Sequence, residues 1–423
     1  MQQQNRLSPT ARGPERPAGG SRGPPATLRR TVATLLLATF APSTAALAET
    51  PSVRVGALDL KPYLLVQQDE GGTFDQSRDG GQGTGGDTRR ARVGAEATLA
   101  ERVEVDVIYD FGAAPGGGSR FFEAQAAYSL APFVVRAGIL KPAFTLEYAQ
   151  SAADILFLER ASIVNVVGGL VAGAGRTGAQ IQAGGRRWFA TALLTGGTSG
   201  PGAQSDQRAV LGRVAGLAIR TDSVSLHLGA SGAWLYQVPR DGDGRQALGF
   251  SDQPELRVDN VDASLSTGPL PANGARLGGL EAGLGWNRLW LQAEWYGLHV
   301  DRSRRDGGGL FFSGEYVQAA YTVLGRPRRW KPGVAAWGSP SPAGGFDPLA
   351  GRWGAVEVAA RLSAADLGDA DVRGGRQTVW TAGLSWYPAD PLRFTLQFEH
   401  ADVTATATPR RLDALALRGQ IRF

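Results

Sequence analysis

Residues 417–423 read Leu-Arg-Gly-Gln-Ile-Arg-Phe and form the carboxyl end of the chain. Going back from Phe423, every second residue is apolar or glycine, and the residues between them are polar. Because side chains two apart share one face of a strand, this stretch predicts a β-strand with one apolar and one polar face. The pattern continues to the last residue, so we expect the terminus to be paired with another strand. The alternation fits two environments, a soluble sheet or a membrane barrel.

The amino-terminal part of the sequence has the features of an export signal. Arg29 and Arg30 precede the apolar stretch TVATLLLATFAP, which leads into small residues that end at Ala48. A charged segment, a short apolar segment and a small-residue cleavage site together predict a signal peptide. We therefore expect residues 1–48 to be an N-terminal extension and cleavable signal peptide, and residues 49–423 to be the exported barrel.

The charge balance argues against a nucleic-acid-binding protein. The whole chain is formally +5, with 44 basic and 39 acidic residues. Residues 1–48 hold six arginines and one glutamate, so the exported part keeps 38 basic and 38 acidic residues. A protein that binds nucleic acid needs a basic footprint, and the exported part lacks a net positive charge. The chain has no cysteine, so we expect strand pairing and burial to stabilise the fold without disulfides.

After residue 50 the sequence predicts short strands separated by clusters of Gly, Asp, Pro and Ser, with almost no helical periodicity. In residues 102–111, for example, valines alternate with Glu104 and Asp106. We predict an all-β fold, a 16-stranded antiparallel transmembrane β-barrel of the outer-membrane porin type. The predicted strands are 53–66, 89–99, 102–111, 120–129, 133–141, 176–183, 186–196, 208–220, 223–237, 275–286, 289–301, 311–323, 352–363, 375–387, 391–403 and 411–423.

The connections and the aromatic residues favour a barrel over a soluble sandwich. Long glycine-rich loops, such as 67–88 and 238–274, alternate with turns of two or three residues, as in outer-membrane barrels. The segment 324–351 lies on the short-turn side but is far too long for a turn. Aromatic residues collect at strand ends, where the girdles of a barrel lie; these are Trp286, Trp290, Trp380, Trp386 and Tyr387.

Several segments resemble the phosphate-selective porin O and P family. The most specific piece is Phe-Thr-Leu-Glu at 144–147, followed by Leu-Glu-Arg at 158–160. Other matching segments are RRARVG, VEVDVIYDF, FEAQAAYSLAPFVVRAGILKPAF, SGEYVQAAYTVLGRPRRWKP, GAVEVAARLSAADL and TAGLSWYPADPLRFTLQFEHADV. The resemblance implies a sixteen-stranded channel in the outer membrane, a homotrimer, and an inward-folded loop at about 142–175. It also implies that the long periplasmic turn at about 324–351 folds back into the pore.

An anion channel needs positive charge where its pore is narrow, and arginine suits phosphate through its forked donors. Alternation places six arginines in the lumen, and the folded-back turn adds four cations. These anion-binding candidates are Arg90, Arg92, Arg136, Arg393, Arg418, Arg422, Arg326, Arg328, Arg329 and Lys331. Arg89 faces outward unless a bulge turns it in. In the alternative interpretation, the arginines pair with carboxylates such as Glu104, Glu294 and Glu399 and brace the wall.

The apolar runs within residues 146–167 predict that the inward loop packs inside the barrel, since a solvent-exposed loop would have no reason to hold them. Its polar residues are the candidates for contacts to the wall or the pore. These constriction residues are Glu147, Tyr148, Asp154, Glu159 and Arg160. At the positions where phosphate-selective relatives carry lysines, this chain has Tyr148 and Ala153, so a different solute is an open alternative.

Other motifs do not support an enzyme, a cofactor or a metal. The Gly-Ala-Gly-Arg-Thr-Gly stretch at 173–178 leads into a strand pattern rather than a helix, so we interpret it as the end of a loop. Asp241 and Asp243 lack the terminal bidentate carboxylate of a calcium loop. Three functions stay open: passive diffusion of small anions such as phosphate, diffusion of other solutes such as carboxylates or sugars, and a structural or enzymatic barrel in outer-membrane lipid.

Overall fold

The computed structural model describes residues 52–75, 82–112, 119–173, 175–198, 206–240, 243–258, 264–405 and 409–423. The predicted signal peptide and N-terminal extension at 1–48 lie outside the described residues. Among the described residues, no helix is long and apolar enough to cross a membrane. Within the same ranges, no group of His, Cys, Asp and Glu side chains is arranged to hold a metal ion.

Sixteen antiparallel strands form a closed barrel, as the alternation predicts. The barrel strands are β1 (Leu58–Asp75), β2 (Gln82–Leu99), β3 (Val103–Asp110), β4 (Arg120–Leu130), β5 (Phe133–Leu140), β6 (Arg176–Gly184), β7 (Trp188–Thr198), β8 (Arg208–Arg220), β9 (Val224–Gln237), β10 (Gly274–Trp286), β11 (Leu289–Asp301), β12 (Leu310–Leu324), β13 (Ala355–Asp369), β14 (Val372–Tyr387), β15 (Leu392–Thr404) and β16 (Arg410–Arg422). Each pairs with its neighbours in sequence, and β16 pairs with β1.

The carboxyl end of the chain lies in the seam of the barrel. Arg422 is the partner of Leu65 in the β1–β16 ladder. The N–H of Phe423 donates to the carbonyl of Leu64 at 2.9 Å, and the N–H of Leu64 donates to the carbonyl of Phe423 at 3.2 Å. Closure matters because lipid cannot satisfy the free N–H and C=O groups of a sheet edge. The strand pattern of residues 417–423 therefore belongs to the seam.

The two faces of each strand separate as expected for a barrel in lipid. On β3, Val105 and Val107 point outward and are exposed, whereas Asp106 points inward and is buried. Trp286 and Trp380 also lie on the outer surface. The girdle prediction was wrong for Trp290 and Tyr387, which point inward with 3% and 5% of their surface exposed.

Three predicted boundaries were wrong. Residues 67–88 are mostly strand, because β1 and β2 extend as a hairpin up to the undescribed residues 76–81. The stretch 364–374 is also mostly strand, with a turn at Ala370 and Asp371 between β13 and β14. The loop 238–274 contains a second hairpin, Ala247–Asp252 with Leu265–Pro271. Glycines hid the first extension, since Gly71 and Gly72 give no side-chain alternation, yet the backbone there pairs like any other.

The first predicted strand is also divided. Val53–Val55 folds back on Leu58–Leu60, and Gly56 makes the turn with a φ of 60°. This left-handed backbone conformation has no steric cost for glycine, which explains why the reversal occurs there. A β-bulge between Gln67 and Gln68 leaves Arg89 without a partner on β1. The bulge brings the Arg89 guanidinium to the Glu159 carboxylate of the inward loop.

Three segments pack against the inner face of the barrel wall. One is the hairpin of the β9–β10 loop, whose Leu248, Phe250 and Leu265 lie in one buried cluster with residues of the inward loop and of the wall. The inward loop between β5 and β6 contains α1 (Leu146–Ala149), α2 (Ser162–Val167) and a π-helical turn, Gly168–Ala172. The segment between β12 and β13 contains a two-residue hairpin, Trp330–Lys331 with Ala336–Trp337. Trp337 is 1% exposed and packs with Trp290, Leu146 and Phe157.

We predict that deleting Phe423 destabilises the closed barrel. The deletion removes the two backbone hydrogen bonds to Leu64, each of which contributes about 0.5–1.5 kcal/mol to the free energy of unfolding. The temperature at which the folded barrel unfolds in detergent, measured by its electrophoretic shift, should fall. Phe423→Leu keeps the backbone and serves as the control. The same melting temperature for the deletion and for Phe423→Leu would contradict this role of the seam.

Candidate functional site: the folded-in segments and the lumen

Side chains of the barrel wall satisfy the backbone of the inward loop. Arg393 on β15 donates to the carbonyls of Ile155 and Leu156 at 2.7 and 2.6 Å. Arg418 on β16 donates to the carbonyl of Leu158 at 2.7 Å. The loop is irregular here, so its backbone groups have no helix or sheet to pair with. The two arginines, which the sequence suggested as anion sites, therefore bind the loop itself.

Glu294 on β11 anchors the start of α1. Its carboxylate accepts hydrogen bonds from the backbone N–H groups of Leu146 at 2.6 Å and Glu147 at 3.0 Å. The hydroxyls of Tyr296 and Tyr316 donate to the same carboxylate at 2.8 and 2.5 Å. A helix leaves its first N–H groups without internal partners, and here a buried carboxylate of the wall takes two of them. Glu294 is thus the acceptor for four donors.

Glu147, a predicted constriction residue, is buried inside the loop. Its carboxylate accepts the backbone N–H of Ala161 at 3.1 Å and lies 3.6 Å from the guanidinium of Arg361 on β13. Burial raises the pKa of Glu147, and the positive charge of Arg361 opposes that rise. Arg160 donates from Nε to the carbonyl of Glu147 at 3.2 Å and stacks over the Tyr148 ring at 4.5 Å. Arg160 thus contacts two other constriction residues, whereas the Glu147 carboxylate contacts Ala161 and the wall.

Four arginines from separate parts of the chain surround the Glu159 carboxylate. Arg89 donates through Nε and through Nη2, the latter at 2.9 Å. Arg90 lies 3.8 Å away, and Arg257 and Arg418 each lie 3.7 Å away. Burial alone would raise the pKa of Glu159, but the neighbouring guanidinium groups hold it well below its usual range. The carboxylate therefore stays ionised and ties the loop to β2 and β16.

Asp154 joins the inward loop to the folded-back turn. Its carboxylate accepts from Lys331 Nζ at 2.8 Å, from Arg422 Nη1 at 2.7 Å, and from both the N–H and the hydroxyl of Ser339. Burial would raise the pKa of Asp154, but Arg422 and Lys331 hold it well below its usual range. Arg328 donates to the Asp154 carbonyl at 2.9 Å, so the two segments are locked to each other.

The remaining candidate arginines are divided between paired and exposed positions. Arg92 is buried against Asp110, with 2.7 Å between Nε and the carboxylate. Arg136 pairs with Glu104 at 3.4 Å and stays partly accessible. Arg326 and Arg329 are exposed on the folded-back segment, and no ion pair to either is found among the described residues. Most of the candidate cations are thus tied to carboxylates or carbonyls within the barrel.

Sequence reasoning missed a second anchor, which holds the folded-back turn. Arg213 on β8 pairs with Glu281 on β10 at 2.8 Å and donates to the carbonyls of Val334 and Ala335, each at 2.8 Å. His227 on β9 contacts the same carboxylate at 2.9 Å. Strand alternation places Arg213 and Glu281 on the inner face. The residues that Arg213 contacts in the folded-back turn are distant from it in sequence, so alternation could not predict these contacts.

The inward loop and the folded-back turn, together called the folded-in segments, cover mainly one side of the lumen. Inward-facing side chains of β8–β15 are buried, and the side chains of Arg213 and Arg361 are 0% exposed. On β1–β6 several inward-facing side chains remain accessible, and the side chains of Glu104 and Arg136 are 39% and 19% exposed. Lys61 is exposed, and Glu96, Glu123, Gln125 and Gln182 are half-buried. The accessible inward-facing side chains of β1–β6 are called the open wall; they are Lys61, Glu96, Glu104, Glu123, Gln125, Arg136 and Gln182.

We predict that Glu294→Gln loosens the start of the inward loop. The NH2 group of the glutamine amide would face at least one of the four donors, which would lose its acceptor. A buried donor without an acceptor lowers the free energy of unfolding by about 1–3 kcal/mol. Single-channel recordings should show a noisier open current, because a mobile α1 would intermittently narrow the lumen. Glu315→Gln changes an outward-facing carboxylate on the neighbouring strand and is the matched control. Identical current noise in both variants would contradict the anchoring role.

Comparisons with known proteins agree with this architecture. The sequence model of the family described as phosphate-selective porin O and P matches residues 62–423. An uncharacterized protein of Caulobacter vibrioides is 28% identical over 344 residues, which cover 79% of this chain and 66% of that protein. This chain thus spans just under two thirds of that relative.

Two solved outer-membrane proteins share the fold. An anion-selective porin from Comamonas acidovorans has a TM-score of 0.53 at 11% identity, covering 86% of this chain and 100% of the porin. The trimer form of OmpT from Vibrio cholerae has a TM-score of 0.52 at 10% identity, covering 87% of this chain and 100% of OmpT. At these identities the likeness concerns the barrel fold alone. With the family match across most of its length, the chain belongs to the phosphate-selective porin O and P family of outer-membrane channels.

Proposed function

We propose that this channel passes small hydrophilic solutes by passive diffusion along the open wall. The observation that carries the proposal is the one-sided filling of the lumen. The side chains that face inward from β8–β15 are mostly buried, whereas several of those on β1–β6, among them Lys61, Glu104 and Arg136, keep access to solvent. A solute that entered the barrel would therefore meet the side chains of the open wall.

The open wall carries both signs of charge, which favours a weakly selective channel. Lys61 and Arg136 supply positive charge, and Glu96, Glu104 and Glu123 supply negative charge. Neighbouring charges of opposite sign cancel much of each other's field at the position of a passing ion. Such a wall suits dipolar or mixed solutes and gives a simple ion little net attraction. This function corresponds to the general-solute alternative.

Transport of small anions, including phosphate, is the second candidate. Its support is the group of exposed cations on the folded-back segment, Arg326, Arg329 and Lys331. If these cations line the route between lumen and periplasm, they would concentrate anions at the channel mouth. The name of the family and the anion-selective porin from Comamonas acidovorans agree with this candidate. We further propose assembly as a homotrimer, as in the trimer form of OmpT.

Ion-selectivity measurements on open-wall variants test the solute route. We predict that Arg136→Gln lowers the anion-to-cation permeability ratio and that Glu104→Gln raises it. A unit charge about 4–8 Å from an ion in water contributes about 0.5–1 kcal/mol, so each change should be roughly two- to fivefold. The measurement is the reversal potential in a KCl gradient. Arg411→Gln alters an exposed, outward-facing arginine and is the control.

The outcomes also separate the two candidates. A wild-type ratio near one that moves in opposite directions in the two variants supports the general-solute channel. A strongly anion-selective wild type that loses its preference in an Arg326→Gln, Arg329→Gln, Lys331→Gln triple variant supports the anion channel. If neither Arg136→Gln nor Glu104→Gln changes the ratio while the channels conduct normally, the route along the open wall is wrong.

A further inference from the structure

Exposed arginines cluster on one part of the short-turn rim, which is the periplasmic end of an outer-membrane barrel. Arg186 and Arg187 lie in the β6–β7 turn, Arg220 ends β8, and Arg288 lies in the β10–β11 turn. Because β6 to β11 are consecutive neighbours in the barrel, these four residues follow one another along the rim. We name them the arginine arc.

Contacts within the rim hold the arc together. Arg220 donates from Nη1 to the carbonyl of Arg186 at 3.3 Å, so the ends of β7 and β8 are joined. Arg288 donates to the carbonyls of Thr322 and Val323 on β12 at 3.0 and 3.3 Å. A guanidinium has five N–H donors, so each of these side chains keeps donors for another partner.

The charge of the arc differs from that of two other short turns of the rim, β2–β3 and β14–β15. Among the described residues of the three turns that the arc spans, Asp222 is the single acidic residue, and it is exposed. The β2–β3 turn contains one acidic and one basic residue, Glu101 and Arg102, and the β14–β15 turn carries Asp390 without an arginine. The exported part of the chain has no net charge, so the four arginines represent a local concentration.

Apolar side chains on the outer surface lie directly beside the arc. Trp188 follows Arg187, Ile219 precedes Arg220, and Trp286 precedes Arg288 by two residues. These three side chains are 48%, 47% and 54% exposed. Exposed tryptophans mark the boundary between the hydrocarbon and the headgroups, so the arginines lie at headgroup depth. A soluble anion would not contact the apolar side chains, whereas the acyl chains of a phospholipid would.

We infer that the arginine arc binds the phosphate groups of anionic phospholipid in the periplasmic leaflet. Guanidinium groups form paired, charge-assisted hydrogen bonds with phosphate oxygens. Clustered arginines at a membrane surface attract anionic lipid, and each adds to the affinity. The aromatic and aliphatic side chains beside the arc contact the acyl chains of the same lipid. The bound lipid would lie against the outer surface of the barrel beside β6–β11.

Lipid retention by the purified full-length protein tests this inference. The protein is prepared in detergent with phosphatidylglycerol or with phosphatidylcholine, and bound lipid is counted by native mass spectrometry across a titration. The arc variant carries Arg186→Gln, Arg187→Gln, Arg220→Gln and Arg288→Gln. The control carries Arg276→Gln, Arg304→Gln, Arg305→Gln and Arg373→Gln, which are exposed arginines at the opposite end of the barrel.

We expect wild type and control to retain phosphatidylglycerol, and the arc variant to bind it at least about tenfold more weakly. Phosphatidylcholine should be retained weakly by all three proteins. Equal retention of phosphatidylglycerol by the arc variant and the control would overturn the inference. Competition by inorganic phosphate at concentrations equal to those of the lipid would also overturn it, because the site would then bind a free anion.

A second variant keeps the test decisive if the quadruple change prevents folding. Arg187→Gln with Arg220→Gln leaves Arg288 and its carbonyl contacts intact. Folding is checked by the electrophoretic shift on heating. The double variant should show an intermediate loss of phosphatidylglycerol binding, and wild-type binding in a folded double variant would contradict the inference.

Discussion

An irregular segment can lie inside a barrel only if its backbone N–H and C=O groups find partners there. Here the wall supplies them. Glu294 accepts the first N–H groups of α1, Arg393 and Arg418 donate to the carbonyls of residues 155–158, and Arg213 donates to the folded-back turn. The inner surface of β8–β16 is therefore chemically matched to two segments of this chain, which determines where the lumen remains open.

This requirement explains why arginine is frequent on the inner wall of a channel whose residues 49–423 carry no net charge. A buried guanidinium bonds several carbonyls at once, but its charge must also be balanced by a nearby carboxylate. Arg418 meets both needs, because Asp69 accepts two of its hydrogen bonds at 2.6 Å and the Leu158 carbonyl accepts a third. The donors of such an arginine are engaged by the wall and by the inward loop. The proposed function accordingly assigns the selectivity of the channel to the fewer charges of the open wall and the mouth.

The sequence predicts the strands better than it predicts the contacts. Alternation alone gives β8 at 208–220 and β11 at 289–301, and it places Arg90 and Arg92 on the inner face. Trp290 is four residues before Glu294 on the same strand, so alternation places both on the inner face. The girdle pattern, which placed Trp290 on the outer surface, conflicts with that alternation. The partners of Glu159 come from residues 70 positions before it to 259 after it, and no local pattern connects them. Packing of distant segments decides these contacts.

Cysteine accessibility tests the one-sided lumen most directly, because the chain has no cysteine of its own. Gln125→Cys and Gln182→Cys place a thiol on the open wall, and Gln318→Cys and Gln377→Cys place one behind the folded-in segments. The measurement is the fall in single-channel current after a charged, membrane-impermeant thiol reagent is added. We predict rapid modification with reduced current at positions 125 and 182, and no change at 318 and 377. Rapid block at 318 and 377, or equal rates at all four positions, would contradict the account.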